Sequence, residues 1–200
     1  REGGLESSDI RDIIGLVDEK EELLQGPVSS IEVKSIFERY SRHLVELIRK
    51  GSQSEKEKPL EGLHIIVDAG NGAGGFFVKS VLEELGAETE GSQFLDPDGT
   101  FPNHIPNPDN KEAMESIKKQ VLAVNADYGV IFDTDVDRAA VVTGSGELLN
   151  RNNLIAVLSV IVISEHPGTT IVTNSPTTEH LKNFIMKLGG RQYRYVSGYR

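Results

Sequence analysis

The chain contains no cysteine. That absence excludes a disulfide framework, a thiolate metal site and a thiol nucleophile. It fits a reducing, soluble compartment, with the cytoplasm expected and a plastid stroma as the alternative. Excess positive charge is lacking too. Lysine and arginine number 21 against 31 acidic residues, a net charge of −10, which argues against broad, charge-driven binding to nucleic acid or an anionic membrane. An anionic substrate stays open, because a metal ion and a few arginines reverse the sign locally. Long apolar runs are missing as well. The most apolar stretch, Leu154 to Ile163, is too short to cross a bilayer as a helix and is expected to be a buried core helix. No secretory leader, low-complexity segment or nucleophile motif is visible. Ser175, ahead of Pro176, reads as a helix cap rather than a catalyst. The chain starts at Arg1 without an initiator methionine and is expected to be a piece of a longer protein.

What is present is enough for a core: 200 residues, 38% of them apolar. Strands and helices alternate, which defines an α/β fold with a mixed, mostly parallel sheet flanked by helices. A short helix is expected around Ile10 to Leu24. Ser29 and Glu32 resemble a capping box ahead of a helix over 30–50, in which Val33, Ile36, Phe37, Tyr40, Leu44, Leu47 and Ile48 recur at helical spacing. A strand at 63–68 leads into a glycine-rich turn, Ala69 to Gly75, and then an amphipathic helix closed by Gly86. A weak strand over 88–94, a proline-rich loop over 96–110 and a helix over 111–125 follow. Tyr128 to Phe132 is a buried strand, and 139–149 a hairpin about Gly144-Ser145-Gly146. A strand over 169–173, a helix over 177–188 with Pro176 at its first position, and a strand over 192–196 complete the pattern.

The most informative stretch is Asp133-Thr134-Asp135-Val136-Asp137-Arg138. Its carboxylates begin where a buried strand ends, the place where open α/β sheets bind ligands. A turn that gathers Asp133, Asp135 and Asp137 forms a hard-oxygen site suited to Mg²⁺, with Arg138 able to fork onto a phosphate. An EF-hand loop also opens D-x-D-x-D, but it needs glycine sixth and glutamate twelfth; here those positions hold Arg138 and Gly144. A purely structural acidic turn is costly, since three close carboxylates repel one another without a cation.

The turn Gly70-x-Gly72-x-x-Gly75 matches the dinucleotide fingerprint between strand and helix. Asp68 counts against that reading, because its carboxylate would face the pyrophosphate. The bland alternative is that these glycines let a helix pack tightly on a strand. In the loop Phe101-Pro102-Asn103-His104-Ile105-Pro106-Asn107-Pro108, prolines fix an extended path with little entropy to lose. His104 is expected to be a packed or exposed histidine rather than a catalyst.

Taken in this order, VDAGNGAGG (67–75), FPNHIPNP (101–108) and DTDVDR (133–138), supported by NSPTT (174–178) and SGYR (197–200), resemble the α-D-phosphohexomutases, the phosphoglucomutase and phosphomannomutase superfamily. The resemblance covers most of residues 30–200. Val136 stands where family members usually carry a small residue.

The resemblance implies four domains around a cleft, of which this chain holds the end of a preceding domain or linker (1–28), domain II with the metal loop (29–152) and the start of domain III (153–200). It implies an isomerase that transfers a phosphoryl group within a hexose phosphate through an enzyme phosphoserine lying outside this chain. Asp133, Asp135 and Asp137 would hold Mg²⁺, Arg138 would bind the phosphoryl group as a catalytic and substrate-binding residue, and Gly198, Tyr199 and Arg200 would sit near the sugar. The partners implied are the substrate and the remaining domains of the same enzyme, with no nucleic acid and no membrane. This piece alone is expected to be inactive. The alternatives are a Rossmann-like dinucleotide-binding module and a non-catalytic relative that keeps the loop as a scaffold.

Overall fold

The computed structural model describes residues 5, 7–18, 30, 32–52 and 54–196. The chain divides into two compact units, Lys34–Asn150 and Arg1–Val33 with Arg151–Arg200.

In the first unit, strands β1 (Ile65–Asp68), β2 (Tyr128–Phe132) and β3 (Ala139–Thr143) form one sheet in the order β1-β2-β3. β1 and β2 run parallel, with Asp68 opposite Ile131; β3 returns antiparallel, with Ala139 opposite Phe132. Successive side chains of a strand point to opposite faces, and here both faces are covered. Ile66, Ile131 and Val142 pack under one helix with Ala113, Met114, Ile117 and Val121. Val67 and Phe132 pack on the other side with Val78 and Leu82. Continuous apolar strands are what such two-sided burial requires.

The helix on the first face, over Lys111–Val124, starts where the Asn110 side chain accepts from Ala113 N–H and ends at Asn125 in a left-handed conformation. Gly129 lets it sit close to the sheet: a Cβ there would stand 2.5 Å from Val121 Cγ2.

The opposite face differs from the expected regular helix. A single 3-10 turn over Ala73–Gly75 passes into a π-helical segment over Val78–Glu83. Phe76 and Phe77 stand side by side there. Phe77 packs toward the sheet, and Phe76 toward the long helix that precedes β1.

That preceding helix covers Phe37–Gly51 and has no side-chain cap, so the expected start at residue 30 is corrected; the expected capping box rests on Ser29. Ser29 lies outside the described residues. Residues 32–36 are not helical, and Val33 and Ile36 are exposed. Helical stability comes mainly from packing an apolar face, and that packing begins only with Phe37 on Phe76 and continues at Val45 on Val81 and Leu85. The weak strand over 88–94 is reduced to two parallel bridges, His64 to Glu88 and Asp68 to Gln93. The hairpin forms, though its second arm pairs only through Leu148 with Val142.

The second unit contains β4 (Thr170–Asn174) and β5 (Arg191–Tyr195), a parallel pair joined through a helix over Glu179–Lys187. That helix is capped by Thr178, whose side chain accepts from Leu181 N–H, so Ser175 and Pro176 lie ahead of it rather than forming its start. The apolar helix over Arg151–Glu165 buries only Ser159 and Ile163. Ile163 packs with Leu181 and Ile185, while Val157, Leu158, Val160 and Ile161 are exposed. The expectation of a buried core helix is thus corrected: among the described residues its packing is confined to the side that meets Leu181, Ile185 and Ile171. A further helix covers Ser7–Asp18; the rest of the helix expected up to Leu24 lies outside the described residues. Among the described residues no helix is long and apolar enough to cross a membrane.

Candidate metal centre

β2 delivers its last residue, Phe132, into the core and then turns. Asp133 is 2% exposed, and Asp135 and Asp137 stand in solvent. One carboxylate oxygen from each of the three lies within 4.8 Å of the others. The turn is held by its own ends. Asp133 N–H donates to Arg138 O at 3.1 Å and Val136 N–H to Asp133 O at 3.4 Å. Arg138 N–H donates to Asp133 Oδ1 at 3.0 Å, and Arg138 Nε to Oδ2 at 2.9 Å. Val136 takes a left-handed backbone, φ 66°, which is unusual for a β-branched residue. Its side chain does point away from the carboxylates, packing against the core cluster that includes Phe132.

The electrostatics follow from this crowding. Burial pushes the Asp133 carboxyl up, but hydrogen bonds from the Arg138 backbone, Asp137 and the Arg138 side chain outweigh it and hold the group below its ordinary value. Asp137 is raised, first by the hydrogen bond it shares with Asp133, then by burial and by repulsion from Asp133 and Asp135. Arg138 is raised by Asp133. Three carboxylates against one guanidinium leave excess negative charge on hard oxygens, the donor set a divalent cation such as Mg²⁺ takes. Both Asp133 oxygens accept from Arg138, Oδ1 from its backbone N–H and Oδ2 from Nε.

The glycine-rich turn lies beneath this loop. Ala73 N–H donates to Thr134 O at 2.9 Å. A Cβ on Gly70 would meet Pro106 at 2.7 Å, on Gly72 the Thr134 carbonyl at 2.7 Å, and on Gly75 the backbone of Leu95. With those faces filled by protein, a pyrophosphate has no cradle, and the dinucleotide reading is corrected to the tight-packing one.

Asp68 is fully buried. Its carboxylate accepts from Gly70 N–H at 2.9 Å and Gln93 Nε2 at 2.7 Å, and lies 3.0 Å from His104 Nε2. His104 is therefore a packed residue joining the proline-rich loop to the turn. Asn107, on the same loop, accepts from Arg138 Nη1 at 3.3 Å. Sequence reasoning missed both links; an aspartate closing a buried strand and a lone histidine among prolines were the only signals. Gly198, Tyr199 and Arg200 lie outside the described residues. The clefts lined by the helix over Phe37–Gly51, and by Ile155 with Ile171, do not include the aspartates.

Fold and loop together define a class: an α/β domain that presents a carboxylate cluster and an arginine at the C-terminal end of its central strand. Residues 38–146 match the family described as phosphoglucomutase/phosphomannomutase, alpha/beta/alpha domain II. The chain belongs to the phosphoglucomutase/phosphomannomutase family. It is 33% identical to a phosphomannomutase/phosphoglucomutase of Pseudomonas putida over 88% of this chain and 35% of that protein. The Pseudomonas aeruginosa protein of the same description is also 33% identical, over 90% of this chain and 37% of its own length. A phosphoglucomutase/phosphomannomutase family structure from Burkholderia thailandensis superimposes with a TM-score of 0.80 at 27% identity, covering 97% of this chain and 40% of that one. The chain thus spans little more than a third of the length of the curated relatives it matches.

Proposed function

We propose that this chain supplies the cation-binding half of a phosphohexomutase active site. In this reading Lys34–Asn150 is the second domain and the unit containing β4 and β5 opens the third. The enzyme isomerises a hexose phosphate, glucose or mannose 1-phosphate to 6-phosphate, by phosphoryl transfer. A phosphoserine elsewhere in the longer protein gives its phosphoryl group to a sugar hydroxyl. The serine P–O bond breaks as the new one forms, and the other phosphate of the resulting bisphosphate then returns to the serine. The names of the Pseudomonas relatives support the reaction class.

The observation that carries the reading is the convergence of Asp133, Asp135 and Asp137 beside Arg138. The three carboxylates would hold Mg²⁺, which when bound supplies positive charge against the phosphoryl oxygens of a loose transition state. Asp133 is held ionised by its hydrogen bonds, ready to act as a ligand. Arg138 keeps its Nε on Asp133 and offers its remaining N–H groups to phosphoryl oxygens, a geometry that guanidinium provides and ammonium does not. Gly198, Tyr199 and Arg200 belong to the sugar side of the site in this proposal.

An NMR titration with Mg²⁺ tests it. The resonances of Asp133, Asp135, Asp137 and Arg138 are expected to shift saturably, and Asp135→Asn to weaken that response. Shifts confined to other residues would overturn the assignment.

A further inference from the structure

The proline-rich loop does more than lead from the bridged segment over 88–94 into the helix over Lys111–Val124. Within four residues it is fastened three times to the end of β1 and the turn that follows. Asn103 Nδ2 donates to Asn71 Oδ1 at 2.7 Å. His104, 7% exposed, sets Nε2 against the fully buried Asp68 carboxylate. Pro106 lies directly on Gly70. The ring of Phe94 meets His104 edge-on at 5.4 Å and closes the pocket around it. A loop with this many independent anchors has one position, and the residue carried just past them is Asn107.

The Asn107 side chain has two duties. Its Oδ1 accepts from Asp109 N–H at 2.9 Å, forming a local turn, and from Arg138 Nη1 at 3.3 Å. Arg138 is half-exposed, and a long arginine side chain loses conformational freedom when it is ordered. Asp133 fixes one edge of its guanidinium through Nε. A single bond at Nε still leaves the terminal nitrogens free to swing, and bidentate binding of a phosphate requires the plane to be set. A second acceptor, brought from a different loop and placed at Nη1, sets it. Three of the five guanidinium N–H groups are then left for a ligand.

We infer that Asn107 is a positioning residue for Arg138, and that the buried Asp68–His104 pair fixes the loop that carries it. This rests on the proposed role of Arg138 in binding a phosphoryl group. The loop then acts as an orienting frame that lowers the ordering cost when an oxyanion docks beside the three aspartates.

The test separates positioning from the local turn. In ¹⁵N-arginine NMR of the whole chain, Arg138 is expected to show distinct Nη1 and Nη2 signals, with rotation about Nε–Cζ slowed. Asn107→Ala and Asn107→Ser are both expected to average those signals. Serine preserves a hydrogen-bonded turn to Asp109 but is too short to reach Arg138, whereas Asn107→Asp keeps the acceptor and is expected to restore the separation. Titrating inorganic phosphate in the presence of Mg²⁺, Asn107→Ala and Asn107→Ser are expected to weaken binding by about 2- to 10-fold, the scale of one hydrogen bond. If Asn107→Ser leaves both the Arg138 signals and the phosphate affinity as in the parent chain, Asn107 serves only its turn and the inference is overturned. The reading of Arg138 itself fails separately: Arg138→Gln would then leave phosphate affinity unchanged while the Asn107 variants still alter the Arg138 signals of the parent background.

Discussion

Gly72 and Thr134 touch through their backbones. A Cβ placed on Gly72 would stand 2.7 Å from the Thr134 carbonyl oxygen and 3.0 Å from its Cα, while the neighbouring Ala73 N–H donates to that same carbonyl at 2.9 Å. The glycine-rich turn is thus the seat on which the aspartate loop rests. Gly72 has an ordinary extended backbone, φ −87°, so the demand is for space and not for a special dihedral. Gly72→Ala is expected to destabilise the fold by about 1–3 kcal/mol, the usual cost of forcing a group into a filled site. Because both obstructing atoms are backbone, the displacement falls on Thr134. Denaturant unfolding gives the cost, and the amide shifts of residues 133–138 should move more than those of the helix over Lys111–Val124. Equal shifts throughout would mean that the loop does not rest on this contact.

Val136 invites a test in which the smaller residue is the better one. Its φ of 66° costs a non-glycine residue about 1–2 kcal/mol. The side chain recovers part of that by packing against the core cluster that includes Phe132. Val136→Ala loses the packing and keeps the strain. Val136→Gly loses the packing and releases the strain. The glycine variant is therefore expected to be more stable than the alanine variant by about 1 kcal/mol, read as the difference between their urea midpoints at constant slope. The reverse order would show that the left-handed turn is not retained.

The Asp68–His104 pair is the interior polar contact on which the proline-rich loop depends. Asp68 is fully buried, so its carboxylate cannot exchange a lost partner for bulk water. His104→Ala leaves it with Gly70 N–H and Gln93 Nε2 alone. The expected loss is about 1–3 kcal/mol, the cost of leaving a buried acceptor under-satisfied. Hydrogen exchange should rise first at Asn107 and Asn110, whose amides bond within the loop to Ile105 O and Asn107 O. Unchanged protection there would detach the loop from the pair.

What the residues announced and what they concealed divide along a physical line. The strand Tyr128–Phe132 and the helix after Asn110 were legible because each carries its own local signal: an apolar run stopped by aspartates, and a side-chain cap closed by a left-handed asparagine. The carboxylate cluster was legible for the same reason, since three aspartates at alternate positions can converge only by turning. The start of the helix at Phe37 was not, because apolar spacing from Val33 onward was regular while the surface to pack against begins later. The π-helical winding over Val78–Glu83 was hidden too, because its periodicity is close to that of an ordinary helix in so short a segment. Contacts between residues far apart in the chain, Asp68 with His104 and Arg138 with Asn107, left no more than an aspartate closing a buried strand and a histidine among prolines, neither of which names its partner.

Cation binding should depend on acidity through Asp137. Its carboxyl is held above the ordinary value by the hydrogen bond shared with Asp133, with burial and the charges of Asp133 and Asp135 adding to the effect. For an acid raised in this way, the folded chain keeps its proton longer than the unfolded chain does. The contribution of that proton to stability is present below the unfolded value and is lost as pH rises through the folded one. Asp133 has the opposite sign: it is lowered, so its contribution is present above the unfolded value and lost as pH falls through the folded one. A cation competes with the proton on Asp137, because only the carboxylate is a ligand. Mg²⁺ affinity is therefore expected to fall on acidification before an ordinary aspartate, with its pKa of about 3.9, would be protonated. Calorimetric titrations stepped down from neutrality toward the ordinary carboxylate range should show the decline, together with proton uptake by the buffer where it sets in. In Asp137→Asn the competing proton is gone, so whatever weaker affinity remains should lose this early pH dependence. If the parent chain binds Mg²⁺ equally well down to the ordinary carboxylate range, Asp137 is not among the ligands.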